Sequence, residues 1–254
     1  MKYYVVADVH SFYTETKKAL TEKGFFEDKE PHKLIVCGDA FDRGDESKEM
    51  QEFILDLIEK DEVILIKGNH DDLIEEIHRN AEKWFGYGNI HRSHHWHNGT
   101  VKTVIDLTGI KEDELRDFEK VQTALSETPL FKSILPKMID YYETEQYIFV
   151  HGWIPCDARG YGGYADYFDY NKNWRKSKTI DWEHARWYNG MEAWHQGVVE
   201  PNKTIVCGHW HCNYGHMYYG DDDRNYTPFI KEGIIALDGC VALTRNVNCI
   251  VLED

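Results

Sequence analysis

Leu34-Ile35-Val36-Cys37-Gly38-Asp39-Ala40-Phe41-Asp42-Arg43-Gly44 decides how this chain folds. The apolar run at its front is too short for a helix and ends at a glycine, so it predicts a buried strand that delivers two carboxylates and an arginine at its carboxyl end. The same grammar stands on either side. Tyr3 to Val6 runs into Asp8-Val9-His10, and Val63 to Ile66 runs into Gly68-Asn69-His70-Asp71. Between the second and third strands, Met50, Phe53, Ile54, Leu57 and Ile58 mark one face of an amphipathic helix, and Leu73, Ile74, Ile77, Ala81 and Trp84 repeat that pattern after the third. Strand, helix, strand, helix predicts an α/β fold with a largely parallel sheet, whose functional residues gather beyond the strands' carboxyl ends.

Further along, Tyr147 to Val150 leads to His151-Gly152, and Thr204 to Cys207 leads to Gly208-His209-Trp210-His211. Ile234 to Leu237 and Val247 to Leu252 are strand-like runs separated by the turn signal Asp238-Gly239. Lys111 to Leu125 reads as one helix, Pro129 and Pro136 bracket a loop, and a helix is expected near Asp181 to Trp194. Residues 153–190 form an aromatic-rich excursion. No repeat or Pro/Gly/Ser linker divides the chain, so residues 1–254 are expected to make one domain.

Composition narrows the function. At 42% apolar, 14% aromatic and 29% charged residues the chain has globular composition. Its formal charge of -16 disfavours a sequence-independent grip on nucleic acid, with the strip Lys172 to Lys178 as the one local exception. No apolar run reaches the roughly 20 residues that span a bilayer, and Met1 to Val6 enters a strand rather than a signal peptide. A soluble, cytoplasmic protein is the expectation. Cys37, Cys156, Cys207, Cys212, Cys240 and Cys249 contain no Cys-x-x-Cys pair and read as reduced cysteines, those within apolar runs as core residues. The 14 histidines, several beside carboxylates, point to metal.

On a strand, Asp8 and His10 point the same way and can grip one cation. Glycines before Asp39, Asn69 and His209 let their turns approach a shared centre. Carboxylate, imidazole and one amide oxygen suit borderline divalent ions better than calcium, and there are donors for two. In such pairs the ions lie about 3.5–4 Å apart, spanned by a carboxylate and holding a hydroxide between them. Asp39 is the bridging candidate. Arg43 can clamp two phosphate oxygens with its planar fork, and His70 can donate a proton to the leaving oxygen if Asp42 holds the ring.

The ordered series D-x-H, G-D-x-x-D-R-G, G-N-H-[DE], H-G and G-H-x-H resembles that of the calcineurin-like metallophosphoesterases. The full G-D-x-x-D-R-G form is similar to the branch of phosphoprotein phosphatases, bacteriophage protein phosphatases and symmetrical diadenosine tetraphosphate hydrolases. Asp238-Gly239-Cys240-Val241 before Ile250-Val251-Leu252, and Asn98-Gly99 with Thr103, resemble further segments of that branch. The likeness covers residues 1–100 and 147–254. It implies a calcineurin-like fold with central β-sheets sandwiched between helices and a dimetal site at strand carboxyl ends. One metal would take Asp8, His10 and Asp39, the other Asp39, Asn69, His151 and His209. The wider superfamily's use of a second histidine would add His211 to the first metal. Manganese is the first choice, with iron, zinc or nickel as alternatives. A second phosphate-binding arginine is expected from the later region, Arg186 or its rival Arg159. The implied activity is hydrolysis of phosphomonoesters by a metal-bridging hydroxide, of serine/threonine protein phosphatase type. The alternatives are a symmetrical bis(5'-nucleosyl)-tetraphosphate or other nucleotide phosphohydrolase, or a non-catalytic metal-binding scaffold. The partner would be a phosphorylated protein or a small phosphoester or nucleotide, with no membrane and no nucleic acid.

Three features carry plainer expectations. Asp71 reads as a cap for a helix beginning near Asp72. His91, His94, His95 and His97 match no standard zinc spacing and have no carboxylate or cysteine beside them, which predicts a solvated, pH-sensitive face. Tyr161, Tyr164, Tyr167, Phe168, Tyr170, Trp174, Trp182 and Trp187 read as an accessory core or as a substrate-binding wall.

Overall fold

The apolar runs form strands, and the strands sort into two sheets that share a core. In the computed structural model, residues 1–86, 90–160, 165–220 and 222–254 are described. Its strands are β1 (Lys2–Val6), β2 (His32–Cys37), β3 (Val63–Ile66), β4 (Tyr142–Glu143), β5 (Tyr147–Phe149), β6 (Asp157–Arg159), β7 (Tyr167–Asp169), β8 (Thr204–Cys207), β9 (Phe229–Lys231), β10 (Ile234–Ala236) and β11 (Ile250–Glu253). The first sheet has the order β11-β1-β2-β3 and the second β4-β5-β8-β10-β9, while β6 and β7 pair separately. Within each sheet the central strands are parallel and the outermost β11, β4 and β9 antiparallel.

Alternation along each strand assigns its two faces. Tyr3, Val5, Ile35 and Cys37 meet Phe149, Val206, Ile235 and Leu237 in a core between the sheets. Their strand neighbours Tyr4, Val6, Leu34 and Val36 face an outer helical layer, and Ile148, Ile205 and Ile234 face another on the opposite side. Burial of each such side chain contributes about 1.5–3 kcal/mol. The first helical layer contains α1 (Tyr13–Lys23), α2 (Ser47–Glu59), α3 (Asn69–Arg79), α4 (Ala81–Phe85), α5 (His94–His97), α6 (Thr100–Thr108) and α7 (Phe118–Glu127), and the second contains α8 (Thr179–Ala185) and α9 (Gly190–His195). Among the described residues no helix is long and apolar enough to cross a membrane. All six cysteines are free.

Several expectations are corrected here. The helix expected over Lys111 to Leu125 is a 3-10 turn at Glu112–Glu114 followed by α7, because the Asp117 carboxylate accepts from the Lys120 amide and starts a new helix. Asp71 does cap a helix, but α3 already begins at Asn69, and Asp71 reaches back to accept from the Gly68 amide at 2.8 Å. The runs flanking Asp238-Gly239 make no hairpin. β10 belongs to the second sheet, whereas β11 crosses to the first and pairs with β1.

Much of the aromatic excursion is core. Trp174, Phe168 and Trp182 are buried with Trp153 in the second helical layer, while Tyr161 and Tyr164 lie outside the described residues. This layer is pinned to β4 by Arg175, which donates to Glu143 at 2.9 and 2.6 Å and to Glu200 at 2.8 Å; Glu200 also accepts from Trp174 and Tyr170. Arg175 holds the Glu143 carboxyl down to about 2, so the stabilisation is present in full above the ordinary pKa of 4.5 and is lost as pH falls towards 2. Arg175→Ala is expected to cost about 1–2 kcal/mol near neutral pH, since the groups are partly exposed, and the difference should narrow, without vanishing, at pH 3. Urea midpoints at pH 7 and pH 3 measure both.

Candidate active site

Parallel register stops the strands level, so their carboxyl-end loops converge. Tyr4 is paired with Leu34 and Val6 with Val36, and the ladder runs on through Asp8 N–H to Gly38 O and His10 N–H to Asp39 O. Asp8, Asp39, Asn69, His151, His209 and Asp238 therefore leave β1, β2, β3, β5, β8 and β10 towards one centre, all but His209 at most 3% exposed. The turns are strained. Asp8, His10, Asp39, Asp42, Arg43 and His209 have positive φ between 47° and 73°, at a cost on the order of 1 kcal/mol each. Two glycines permit the approach, since a Cβ on Gly68 would strike Asp39 and one on Gly208 would strike the Asp8 carboxylate.

Asp39 is the hub. Its Oδ2 lies 3.4 Å from His151 Nε2, 3.8 Å from His10 Nε2 and 3.9 Å from His70 Nε2, and its Oδ1 accepts from the His70 amide at 3.0 Å. The Nδ1 atoms of His10 and His151 each lie 2.9 Å from a backbone carbonyl oxygen, of Phe41 and Cys37 respectively, which orients both Nε2 atoms inward. Asn69 Oδ1 is 2.8 Å from His151 Nε2. At this centre two groups could hold a metal ion: His10, Asp39 and His70, and Asp39, His151 and His209. Asp39 belongs to both, as a bridging ligand would.

Charge supports the same reading. Burial would lower the pKa of His151, but Asp39 beside it raises it to about 10. Burial and the neighbouring His70 push His10 well below its ordinary value, and burial with His151 brings His209 down to about 3, leaving neutral rings able to donate a lone pair. Burial and then repulsion from Asp238 push the Asp8 carboxyl well above the usual range. Asp8 resists ionisation, while against its burial Asp39 is held well below the usual carboxylate range by His151 and His70; ringed by inward imidazoles and an amide oxygen, these carboxyls are a donor set that divalent cations fit.

Asp8 sits at this centre with both oxygens on the His209 amide, at 3.0 and 2.9 Å. His211 joins neither group; it is partly exposed, 3.8 Å from Asp238. Asp238 itself was missed. It follows a strand as Asp39 does, with its glycine after it rather than before, and its Asp-Gly pair reads in the sequence as a turn and as part of a family-like closing segment, not as a site residue. Arg186 requires a correction. Its guanidinium is buried and donates to Asp72 at 2.6 Å and Asp140 at 2.5 Å, so two carboxylates absorb the charge a phosphate would need. Arg159 lies exposed on β6 against the Tyr167 ring. Of the excursion, Trp187 reaches the centre, its exposed ring 5.7 Å from that of His209.

The expected dyad is formed. His70 Nδ1 is 2.8 Å from Asp42 Oδ2, and Arg43 Nη2 lies 3.3 Å from His70 Nε2. Burial opposes protonation of His70, but Asp39 and Asp42 raise its pKa. Thr100, a second residue the sequence reading missed, donates to Asp42 Oδ2 at 2.7 Å, whereas Asp42 Oδ1 has no partner among the described residues. Thr100→Val should leave Asp42 free to swing and lower kcat about tenfold for esters with poor leaving groups, corresponding to one hydrogen bond of roughly 1 kcal/mol or slightly more. Steady-state kinetics on an alkyl phosphate test this.

A family model described as calcineurin-like phosphoesterase matches residues 1–233. The chain is similar to a symmetrical bis(5'-nucleosyl)-tetraphosphatase of Buchnera aphidicola, with 36% identity over 78 residues, and spans only 27% of that relative's length. It is 26% identical over 223 residues to an asymmetrical bis(5'-nucleosyl)-tetraphosphatase of Bacillus subtilis, covering 80% of this chain and 82% of that one. Among solved structures, a cold-active protein-tyrosine phosphatase of a Shewanella species superposes with a TM-score of 0.53 at 14% identity, over all of this chain and 75% of the other.

Proposed function

The chain belongs to the calcineurin-like phosphoesterases, enzymes that hydrolyse phosphoric esters, and on that premise we propose that its substrate is a nucleoside polyphosphate. The observation that carries this reading is a cavity of about 540 Å³ opening beside Arg43 and lined by Trp96, His97, Gly99, Lys102, Ile105 and Ala242. Its volume suits one nucleoside better than a length of polypeptide, and Trp96 offers a face for a base. Lys102 is engaged by Asp106 and Asp45, which leaves Arg43 as the cation facing the phosphates. The names of the two curated relatives agree with this choice. It ranks a nucleotide above the phosphoprotein that the motif series alone puts first.

In this reading Asp39, His10, Asn69, His151 and His209, with Asp8 alongside, hold two divalent ions. Such ions supply a nucleophilic water near neutral pH and offset phosphate charge. The chain's residues do the rest. Arg43 fixes the phosphate oxygens with two parallel N–H donors and strengthens its grip as charge builds on them. His70 passes its Nε2 proton to the leaving oxygen, and Asp42 keeps the ring turned and supports its positive charge. Trp187 shields one side of the centre from water.

Diadenosine tetraphosphate, a phosphoserine peptide, an aryl phosphate and a bis-aryl phosphodiester, assayed side by side with manganese, test the substrate class. The tetraphosphate should give the highest kcat/KM, and Trp96→Ala should raise its KM about tenfold while sparing the aryl phosphate, given roughly 1–3 kcal/mol per stacked base. A higher kcat/KM on the peptide would reverse the choice. Turnover of nothing would favour the non-catalytic scaffold.

A further inference from the structure

We propose that Glu76 of α3 and the paired His94 and His95 of α5 form a third cation site, separate from the active centre, for a zinc-type divalent ion. His91, His94 and His97 are exposed, as the spacing of the histidine stretch predicts, but His95 departs from that solvated face. His95 is wholly buried, and neither of its ring nitrogens has a hydrogen-bond partner among the described residues. Each orphaned polar atom costs on the order of 1–3 kcal/mol, so a polar ring retained here needs a partner of another kind. The missing carboxylate comes from far along the chain. Glu76 Oε2 lies 3.7 Å from His95 Nε2 and 4.0 Å from His94 Nε2, with all three ligand atoms within 4.8 Å of one another.

These separations are too long for hydrogen bonds but close to the edge of a tetrahedron, about 3.3–3.4 Å for ligand bonds of roughly 2.0–2.1 Å. A small inward movement would close the site. Two imidazoles and a carboxylate, with the fourth position left to water, are a zinc donor set. Trp84 of α4 walls the site, its ring edge-on to His94 at 4.7 Å and to His95 at 4.4 Å. The half-exposed Glu76 and His94 leave a path for the ion from solvent.

The position gives the site a role. α3 begins with Asn69 and His70, and α5 leads through Gly99, packed on the Arg43 backbone, to Thr100, which holds Asp42. A cation at Glu76, His94 and His95 ties the helix carrying the proton donor to the segment that orients it.

Zinc counting tests this without recourse to turnover, so it stands or falls apart from the proposed reaction. The full chain, stripped with a chelator, saturated with zinc and desalted, should retain one equivalent more than Glu76→Gln or His94→Ala treated identically, by elemental mass spectrometry. Equal zinc in all three would overturn the site. His95→Phe covers the case in which those variants fold poorly. Without metal it should melt at or above the temperature of the unsubstituted chain, since it removes two orphaned nitrogens, and it should also bind one equivalent fewer. Full zinc binding by His95→Phe would equally refute the proposal.

Discussion

Asp39→Asn is expected to lower kcat/KM for an aryl phosphate by at least about 10³-fold at saturating manganese, with the fold intact. The size follows from its position. Asp39 belongs to both candidate ligand groups, and three imidazole Nε2 atoms stand within 3.9 Å of one of its oxygens. Loss of a residue that merely supports a ligand costs about 10–100-fold in metal affinity or activity, and loss of one transition-state donor about 10²–10³, so loss of a shared ligand should exceed either. Asparagine keeps the shape and the oxygen that accepts from the His70 amide, so far-ultraviolet circular dichroism should be unchanged. Bound manganese should fall at the same time. Normal activity in this variant would remove Asp39 from the bridging position and, with it, the two-ion reading of the centre.

The centre was legible because each ligand is local to its own strand end. A short apolar run and a polar turn can be read from consecutive residues, and parallel register does the gathering. What the sequence hid is set by partners distant along the chain. Arg186 resembles a phosphate clamp until folding places Asp72 and Asp140 against it. His95 has no neighbouring carboxylate until α3 presents Glu76. Whether β11 joins β10 or β1 is decided by which face finds an apolar layer, and the turn between them carries no sign of that choice. Helix ends were misread for one recurrent reason. Leu73 to Trp84, Lys111 to Leu125 and Asp181 to Trp194 each keep apolar periodicity across a break, and Asn80, Asp117 or Asn189 caps the second segment with its own side chain. Asn and Asp compete for backbone donors within a continuous hydrophobic pattern, so periodicity alone overruns them.

His70→Asn should separate acid catalysis from metal binding. For an alkyl phosphate, whose leaving oxygen needs a proton, kcat should fall about 10²–10⁴-fold, the range for one positioned general acid. For a nitrophenyl ester, whose leaving group departs as a stable anion, the fall should stay within about tenfold. The geometry gives the prediction its internal control. His70 Nδ1 is committed to Asp42 and its Nε2 lies beside Arg43, so Asp42→Asn, which keeps the shape but loses the charge that supports the imidazolium, should reproduce the same dependence on leaving group at smaller amplitude. The His70 ring also lies within ligand distance of Asp39, which allows it a place at the first ion instead. That alternative has a distinct outcome. A metal ligand lost would depress every ester alike and reduce bound manganese, whereas a proton donor lost leaves the metal in place and steepens the plot of log kcat against leaving-group pKa.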